Sequence, residues 1–165
     1  MSIAIAFIAE LKQEAAITRK MLERVPMDKR DWKPHEKSMS VGRLATHIAE
    51  TIHWISVILG PDRFDFAANP APVRHVAADT AELLSILDNN LEQAILSLSA
   101  AAADDFEKDW IIMRGEQEIM RSSKKAAIRS WGISHQVHHR GQLSVFLRLL
   151  DVPVPGVYGP SADER

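Results

Sequence analysis

Apolar residues recur every three to four positions in four long stretches of the chain, and this spacing predicts four amphipathic helices. The predicted helices run from about Ile3 to Arg24, from an N-cap at Ser40 to Leu59, from an N-cap at Asp79 to about Ala102, and from an N-cap at Ser122 or Ser123 to Leu150. No strand pattern of comparable length accompanies them. The sequence therefore predicts an all-α fold, specifically a four-helix bundle.

The segments between the helices are rich in proline and are predicted as connections. They cover Val25–Ser40, in which Trp32 is expected to anchor the loop on the bundle, and Pro61–Ala78, with Phe64, Phe66, Pro70 and Pro72. The stretch 104–121 is less regular and is either a short β-hairpin turning at Arg114-Gly115 or an extended cover. After Asp151 the tail contains too many prolines for a helix and is expected to run extended over the bundle.

The apolar stripe of the last predicted helix is interrupted by polar residues where leucines are expected. These are His135, His139 and Gln142. Four residues along a helix give about 40° of rotation and roughly 6 Å of rise, so the two histidines point the same way, one turn apart. Two imidazoles on one rigid helix can therefore reach the same metal ion.

A third ligand is expected from the second helix. Its buried side is marked by Leu44, Ile48, Thr51, Ile55 and Ile58. His47 is about 60° from Leu44 on the inner flank, whereas His53 is roughly 180° from Leu44 and should face solvent. His47 is therefore the predicted third ligand. Glu50, three residues later, is either an outer-shell partner of this imidazole or a solvated glutamate.

Several alternatives remain open for the neighbouring polar residues. His138 could replace His139 through the three-residue spacing from His135, and His35 is interpreted as a surface histidine. Gln142 is an outer-shell candidate because it follows His139 by one turn. Glu14, on the inner side of the first helix, is either a boundary residue with its carboxylate in water or a partner beside the metal.

Composition excludes several classes of function. The chain has 165 residues, no cysteine and a formal net charge of −2. A disulfide scaffold, a Cys-ligated zinc site and a cysteine nucleophile are excluded, and the charge gives no basic field for nucleic acid. The apolar start is too short to span a bilayer and lacks the charged region of a signal peptide. We expect one domain, residues 1–165, in a cytoplasmic protein without membrane or nucleic-acid partners.

The predicted ligand set is typical of a catalytic metal site. Imidazole suits zinc, nickel, copper and ferrous iron, and three ligands leave positions for water or substrate. The pair reads His-Gln-Val-His-His in this chain, so the glutamate of the His-Glu-x-x-His metalloprotease motif is absent. No phosphate-binding glycine loop, Gly-x-Ser-x-Gly elbow or set of paired inward carboxylates of the di-iron bundle type is present.

The segment His-Gln-Val-His-His-Arg-Gly-Gln-Leu-Ser-Val-Phe-Leu-Arg resembles the fourth-helix signature of the DinB family, the DinB/YfiT-like proposed metalloenzymes. The resemblance extends to the segments from Trp32 to Ser38 and from Leu44 to Glu50, and to the tail Val-Pro-Gly-Val-Tyr-Gly-Pro-Ser-Ala-Asp-Glu. It implies a bundle of up-down-down-up order, often dimeric, with a nickel, zinc or iron ion. The family's histidines match His47, His135 and His139.

Two functional hypotheses follow. In the first, the protein is a metal-dependent transferase or hydrolase whose open coordination site activates a small thiol or water toward a small electrophile, in stress or detoxification. The resemblance supports the thiol, since characterised relatives use bacillithiol or mycothiol, but it identifies no catalytic or thiol-binding residue. In the second, the bundle is non-catalytic and its metal is structural or senses a ligand.

Overall fold

The computed structural model describes residues 2–69 and 75–164, and its architecture is mostly helical with a small sheet. The helices are α1 (Ile3–Leu22), α2 (Val41–Glu50), α3 (His53–Leu59), α4 (Thr80–Ala100), α5 (Lys124–Ala127) and α6 (His135–Leu149). A π-helical segment, Ile128–Ser134, joins α5 to α6, and short 3₁₀ turns cover Met27–Lys29, Ala103–Glu107 and Ala162–Glu164. The strands are β1 (Arg63–Asp65), β2 (Asp109–Arg114) and β3 (Gln117–Ser123).

The helices assemble as the predicted bundle. Helix α1 packs against α4 and α6, and α2 packs against the same two helices. The first and second helices therefore lie at opposite corners, and the last helix lies between them. The up-down-down-up order stays a prediction. Among the described residues, no helix is long and apolar enough to cross a lipid bilayer.

Two predicted N-caps and the second helix's buried face are confirmed. The Ser40 hydroxyl accepts from the Arg43 N–H at 3.2 Å, and the Asp79 carboxylate accepts from the Glu82 N–H at 2.8 Å. These side chains replace the backbone acceptors that a first helical turn lacks. The predicted buried positions of the second helix are all buried: Leu44, Ile48, Thr51, Ile55 and Ile58.

The second helix is divided where a continuous one was predicted. Residues Thr51 and Ile52 form a turn between α2 and α3. The Thr51 hydroxyl donates to the Ile48 carbonyl at 2.8 Å, and the Trp54 N–H donates to the Thr51 carbonyl at 3.2 Å. Such side-chain competition for a helical carbonyl, with tightened backbone bonds, locally bends a helix.

The all-α prediction is confirmed only in part, because a three-stranded sheet accompanies the helices. Its order is β1-β2-β3, with β1 parallel to β2 and β2 antiparallel to β3. The possible hairpin is present, and Arg114 pairs with Gln117. Its turn is therefore Gly115-Glu116, one residue later than predicted. Gly115 has φ +61°, which glycine adopts without steric cost.

Strand β1 lies inside the segment predicted as a connection. Phe64 and Phe66 alternate with Asp65, and this short alternation was the signal for a strand. Phe64 pairs with Ile112 of β2. The later part of the predicted connection, residues 70–74 with Pro70 and Pro72, lies outside the described residues.

The tail follows a left-handed turn at the end of α6. Asp151 has φ 57°, the Val152 N–H donates to the Leu147 carbonyl at 2.9 Å, and the Asp151 N–H donates to the Arg148 carbonyl at 3.1 Å. This is a Schellman motif with aspartate in the position that glycine usually occupies. The tail then runs over the bundle as predicted, and Val152, Val154 and Val157 pack on the core.

Both interpretations of Glu14 are wrong, because it forms a buried ion pair. Its Oε2 accepts from Arg140 Nη2 at 2.6 Å, and the two side chains are 9% and 2% exposed. Arg140 Nη1 donates to the Thr18 hydroxyl at 3.0 Å, and the Tyr158 hydroxyl donates to Glu14 Oε2 at 2.9 Å. The network ties α1, α6 and the tail together.

Breaking this ion pair is expected to destabilise the fold. Arg140→Met leaves a buried carboxylate without its cation, and we expect a loss of about 3–5 kcal/mol in the free energy of unfolding. The double variant Glu14→Leu/Arg140→Met removes both charges and should lose less than the sum of the single losses. Urea unfolding followed by circular dichroism measures the free energy of unfolding of Arg140→Met, Glu14→Leu and the double variant. A loss in the double variant equal to the sum of the two single losses would contradict the coupling.

The last helix approaches α3 closely at a glycine. A Cβ placed on Gly132 would lie 2.6 Å from Ile55 Cγ1, so only hydrogen fits between them. Gly141, in α6, has no atom within 4 Å of the corresponding position. The two glycines in the last helix therefore differ in what an added methyl would meet.

Gly132→Ala is expected to lower the free energy of unfolding by about 1–3 kcal/mol through overpacking. Gly141→Ala is the matched control, and it should raise stability by roughly 0.5–1 kcal/mol because alanine is the better helix former. Urea midpoints of the two variants decide the comparison. Equal midpoints would show that α3 and the last helix are not held at this distance.

Candidate metal centre

Three histidines on two packed helices converge inside the bundle. His47 comes from α2, and His135 and His139 come from the first turn and a half of α6. One ring nitrogen from each lies within 4.8 Å of the others. The ring centroids are 5.1 Å apart for His47 and His135, 4.6 Å for His47 and His139, and 4.7 Å for His135 and His139. The convergence expected from helix geometry is present.

Burial favours the neutral form of the rings. His139 is 9% exposed and His47 and His135 are half-buried. Burial lowers the pKa of His135, and the nearby His139 lowers it further. Burial also lowers the pKa of His139, against the opposing effect of its hydrogen bond to Gln142. A neutral imidazole has the lone pair that a metal ion requires.

The atoms that face each other are the ones a metal would bind. His47 Nε2 and His135 Nε2 are 3.3 Å apart. Two nitrogens bound at about 2.05 Å to one tetrahedral ion lie roughly 3.4 Å apart. In the metal-free protein the same contact is compatible with a hydrogen bond only if one of the two rings carries its proton on Nε2. The measured separation therefore fits an ion between the rings.

The opposite ring nitrogens face hydrogen-bond acceptors. His139 Nδ1 is 2.7 Å from Gln142 Oε1, and since an amide oxygen only accepts, this Nδ1 carries the proton. The backbone of Trp131, one turn before His135, raises the pKa of that histidine against the effect of burial. A ligand imidazole commonly donates its second N–H in this manner, which fixes its tautomer and orientation. Gln142, predicted as an outer-shell residue, occupies such a position.

Glu50 lies beside His47 without a hydrogen bond to it. Its Oε2 is 3.9 Å from His47 Nδ1 and accepts from Arg43 Nη2 at 2.8 Å. Arg43 also donates to the His75 carbonyl at 3.1 Å. Glu50 therefore lies on the Nδ1 side of His47 with its side chain 35% exposed and paired with Arg43, which agrees better with the solvated-glutamate interpretation than with an outer-shell bond to the imidazole. Arg43 was not identified from the sequence, although it lies on the same face of α2.

The other histidines lie outside the cluster. His138 is exposed, and its ring centroid is 4.9 Å from that of His139. His53 is exposed, as predicted. His35 Nδ1 accepts from the Lys37 N–H, and His75 Nε2 is 2.8 Å from Glu82 Oε1. Among the described residues, the geometry thus selects His139 over His138 for the cluster.

A π-helical segment immediately precedes His135, where a regular helix was predicted. Such segments are inserted turns that occur frequently at functional sites. Trp131 lies within it, and its ring centroid is 6.4 Å from that of His135. The sequence carries Trp131 one helical turn before His135, but periodicity alone gave no sign of the widened turn.

Comparison with known proteins assigns the chain to a family. The sequence profile of the DinB family matches residues 1–165, and the chain belongs to this family. It is 29% identical over 161 residues to YrdA of Bacillus subtilis (strain 168), described as an uncharacterized protein, with 96% of this chain and 89% of YrdA covered. It is 25% identical over 135 residues to the uncharacterized YjoA of the same organism, with 80% of each chain covered.

Solved DinB-like structures share the fold. The crystal structure of YjoA superposes with a TM-score of 0.72 at 17% identity, over 94% of this chain and 99% of YjoA. A DinB-like protein from Bacillus cereus ATCC 10987 gives a TM-score of 0.71 at 21% identity, over 92% of this chain and 95% of that chain. The family resemblance seen in the sequence is confirmed, and the three-histidine cluster of this family member could hold a metal ion.

Gln142→Ala is expected to weaken zinc binding by about 10–100-fold, because His139 loses the acceptor that fixes its tautomer. Gln93→Ala, an exposed glutamine in α4, is the matched control and should leave zinc binding unchanged. Competition titration with a zinc-sensitive chelating dye measures both affinities. An unaltered affinity in Gln142→Ala would show that the hydrogen bond does not orient a ligand.

Proposed function

We propose that this DinB-family protein is a divalent-metal-dependent enzyme that activates a small thiol or water toward a small electrophile. His47, His135 and His139 are the residues that would hold one nickel, zinc or iron ion, with coordination positions left for substrate. The observation that carries the proposal is the 3.3 Å separation of His47 Nε2 and His135 Nε2, both pointing into the cluster with His139.

The donor set determines what such a site does. An ion held only by neutral imidazoles keeps its full dipositive charge, which supplies Lewis acidity toward a thiol or a water. No carboxylate is among the three donors, so the protein does not itself offset that charge. This favours transfer or hydrolysis, in which a nucleophile must be deprotonated near neutral pH.

The surrounding residues orient the donors. Gln142 Oε1 accepts a hydrogen bond from His139 Nδ1–H, which directs the Nε2 lone pair of His139 into the cluster. Glu50 lies on the Nδ1 side of His47, away from His135, and Arg43 holds it there. At 3.9 Å from His47 Nδ1, Glu50 is too far away to orient that ring by a hydrogen bond. The group that removes a proton from the nucleophile is not assigned to either residue.

The family resemblance supports the finer parts of the proposal. A low-molecular-weight thiol as cosubstrate, a role in stress or detoxification and a homodimeric assembly are expectations carried by that resemblance. The dimer can be measured directly by analytical ultracentrifugation.

The test begins with metal content. Protein purified without an affinity tag is expected to contain about one divalent ion per chain by elemental analysis, and His139→Ala should bind zinc at least about 100-fold more weakly, since a lost ligand costs more than a lost outer-shell partner. His53→Ala removes an exposed histidine of α3 and should retain the ion. A full equivalent of tightly bound ion in His139→Ala would contradict the assignment of the ligands.

Activity and stability then separate an enzyme from a non-catalytic bundle. The loaded protein is screened with bacillithiol, mycothiol and water against 1-chloro-2,4-dinitrobenzene and simple esters, and turnover should vanish with chelator. At a free ion concentration of about 100 times the dissociation constant, binding stabilises the fold by about 2.7 kcal/mol. For this chain length that raises Tm by roughly 5–10 °C. A stability loss on chelation without turnover on any substrate would favour a structural or sensing metal.

A further inference from the structure

A groove of about 450 Å³ runs along the exposed side of the last helix and reaches the histidine cluster. Its lining consists of Arg129, Ser130, Trp131, Ser134, His135 and His138. His135 belongs both to this lining and to the three histidines that converge. A molecule in the groove would therefore contact the ring of a residue that is proposed to hold the ion.

Trp131 gives the groove a fixed apolar surface. Its indole is half-buried and packs edge to face on Trp54, with centroids 5.2 Å apart, and on Trp110 at 6.3 Å. Neighbouring aromatic rings that hold each other in this geometry leave little freedom to lose when a ligand binds. The Trp131 ring is one helical turn from His135, at 6.4 Å between centroids.

The guanidinium of Arg129 is already neutralised by a carboxylate. Arg129 Nη2 donates to Glu10 Oε2 at 2.8 Å, Nη1 contacts the same carboxylate, and the guanidinium lies 5.7 Å from the Phe7 ring centroid. The Ser130 hydroxyl donates to the Ala126 carbonyl at 3.0 Å. The strongest attraction for an anion would therefore come from the ion at the histidine end, and the apolar body of a ligand would lie over Trp131.

We propose that this groove is the substrate site and that it binds a small aryl-substituted monoanion, with the anionic group at the histidines and the ring on Trp131. The inference rests on the proposed function, because the charge that attracts the anion is that of the ion. Aryl-substituted monoanions are therefore the class of substrate assigned to the metal site. Trp131 is then a specificity-determining residue.

The test compares three probes on zinc-loaded protein by ligand-observed NMR titration: 3-phenylpropionate, propionate and 3-phenylpropan-1-ol. The acid with the ring should bind at least 10-fold more tightly than the acid without the ring or the alcohol. Trp131→Leu should weaken the binding of 3-phenylpropionate by about 3–10-fold, the range expected for one aromatic contact, and leave the affinity for propionate unchanged. Equal binding of 3-phenylpropionate to Trp131→Leu and to the unchanged protein would overturn the proposal.

A second variant blocks the groove without touching the indole or the ion. Ser134→Phe places a large side chain in the groove and should weaken 3-phenylpropionate at least 10-fold, whereas Ser99→Phe, an exposed serine of α4, should not. Elemental analysis of each sample separates the two proposals. If the protein holds one ion per chain but binds 3-phenylpropionate no more tightly than propionate, the groove proposal fails and the proposed function stands. If the unchanged protein holds no ion, the proposed function fails.

Discussion

The close approach of the last helix to α3 at Gly132 is the constraint on which the rest of the structure depends. Ile55 Cγ1 occupies the space that any larger residue at Gly132 would need. Because the contact is made within the π-helical segment and three residues before His135, it sets how far the start of α6 lies from the second helix. The separation of His47 from His135 follows from that distance.

The rotation of α6 is fixed from its other side by adjacent residues. His139 points into the cluster, and Arg140, about 100° further round the helix, points to Glu14 of α1. Buried Arg140 has hydrogen-bond partners on α1 and on the tail, so turning α6 would leave a guanidinium unpaired in the core. Leaving this buried charge unpaired would cost several kcal/mol, so the ion pair opposes rotation of α6. The histidine cluster is therefore held by one polar network and one steric contact.

Local periodicity predicted the parts of this molecule that depend on a single helix. The face of the second helix, the choice of His47 over His53 and the alignment of His135 with His139 all follow from about 100° per residue, and the structure agrees. Features that depend on distant partners were not predictable in the same manner. Strand β1 has three residues and exists through its parallel pairing with β2, and Glu14 is buried because Arg140 is 126 positions away in sequence.

Periodicity located the end of the buried stripe on the last helix only in part. The spacing from Ile128 and Phe146 places Leu149 and Leu150 on the inner side, and the structure buries Leu150 but leaves Leu149 58% exposed. Neighbouring residues are about 100° apart on a helix, so one member of such a pair turns away from the core. The alignment of His135 with His139 needs only their spacing of four positions in a regular helix, and both follow the π-helical segment.

The electrostatics of the site differ from those of the rest of the bundle. Where a charge is buried elsewhere, the protein supplies its counterion, as Glu14 does for Arg140 and as Asp62 does for Lys124. At the cluster, three rings are brought together without an acidic donor, and Glu50, which lies beside His47, is paired with Arg43. Because none of the three donors is a carboxylate, a bound dication would keep its positive charge. The compensating negative charge would then come from a ligand. From this donor set we infer an anionic or ionisable ligand.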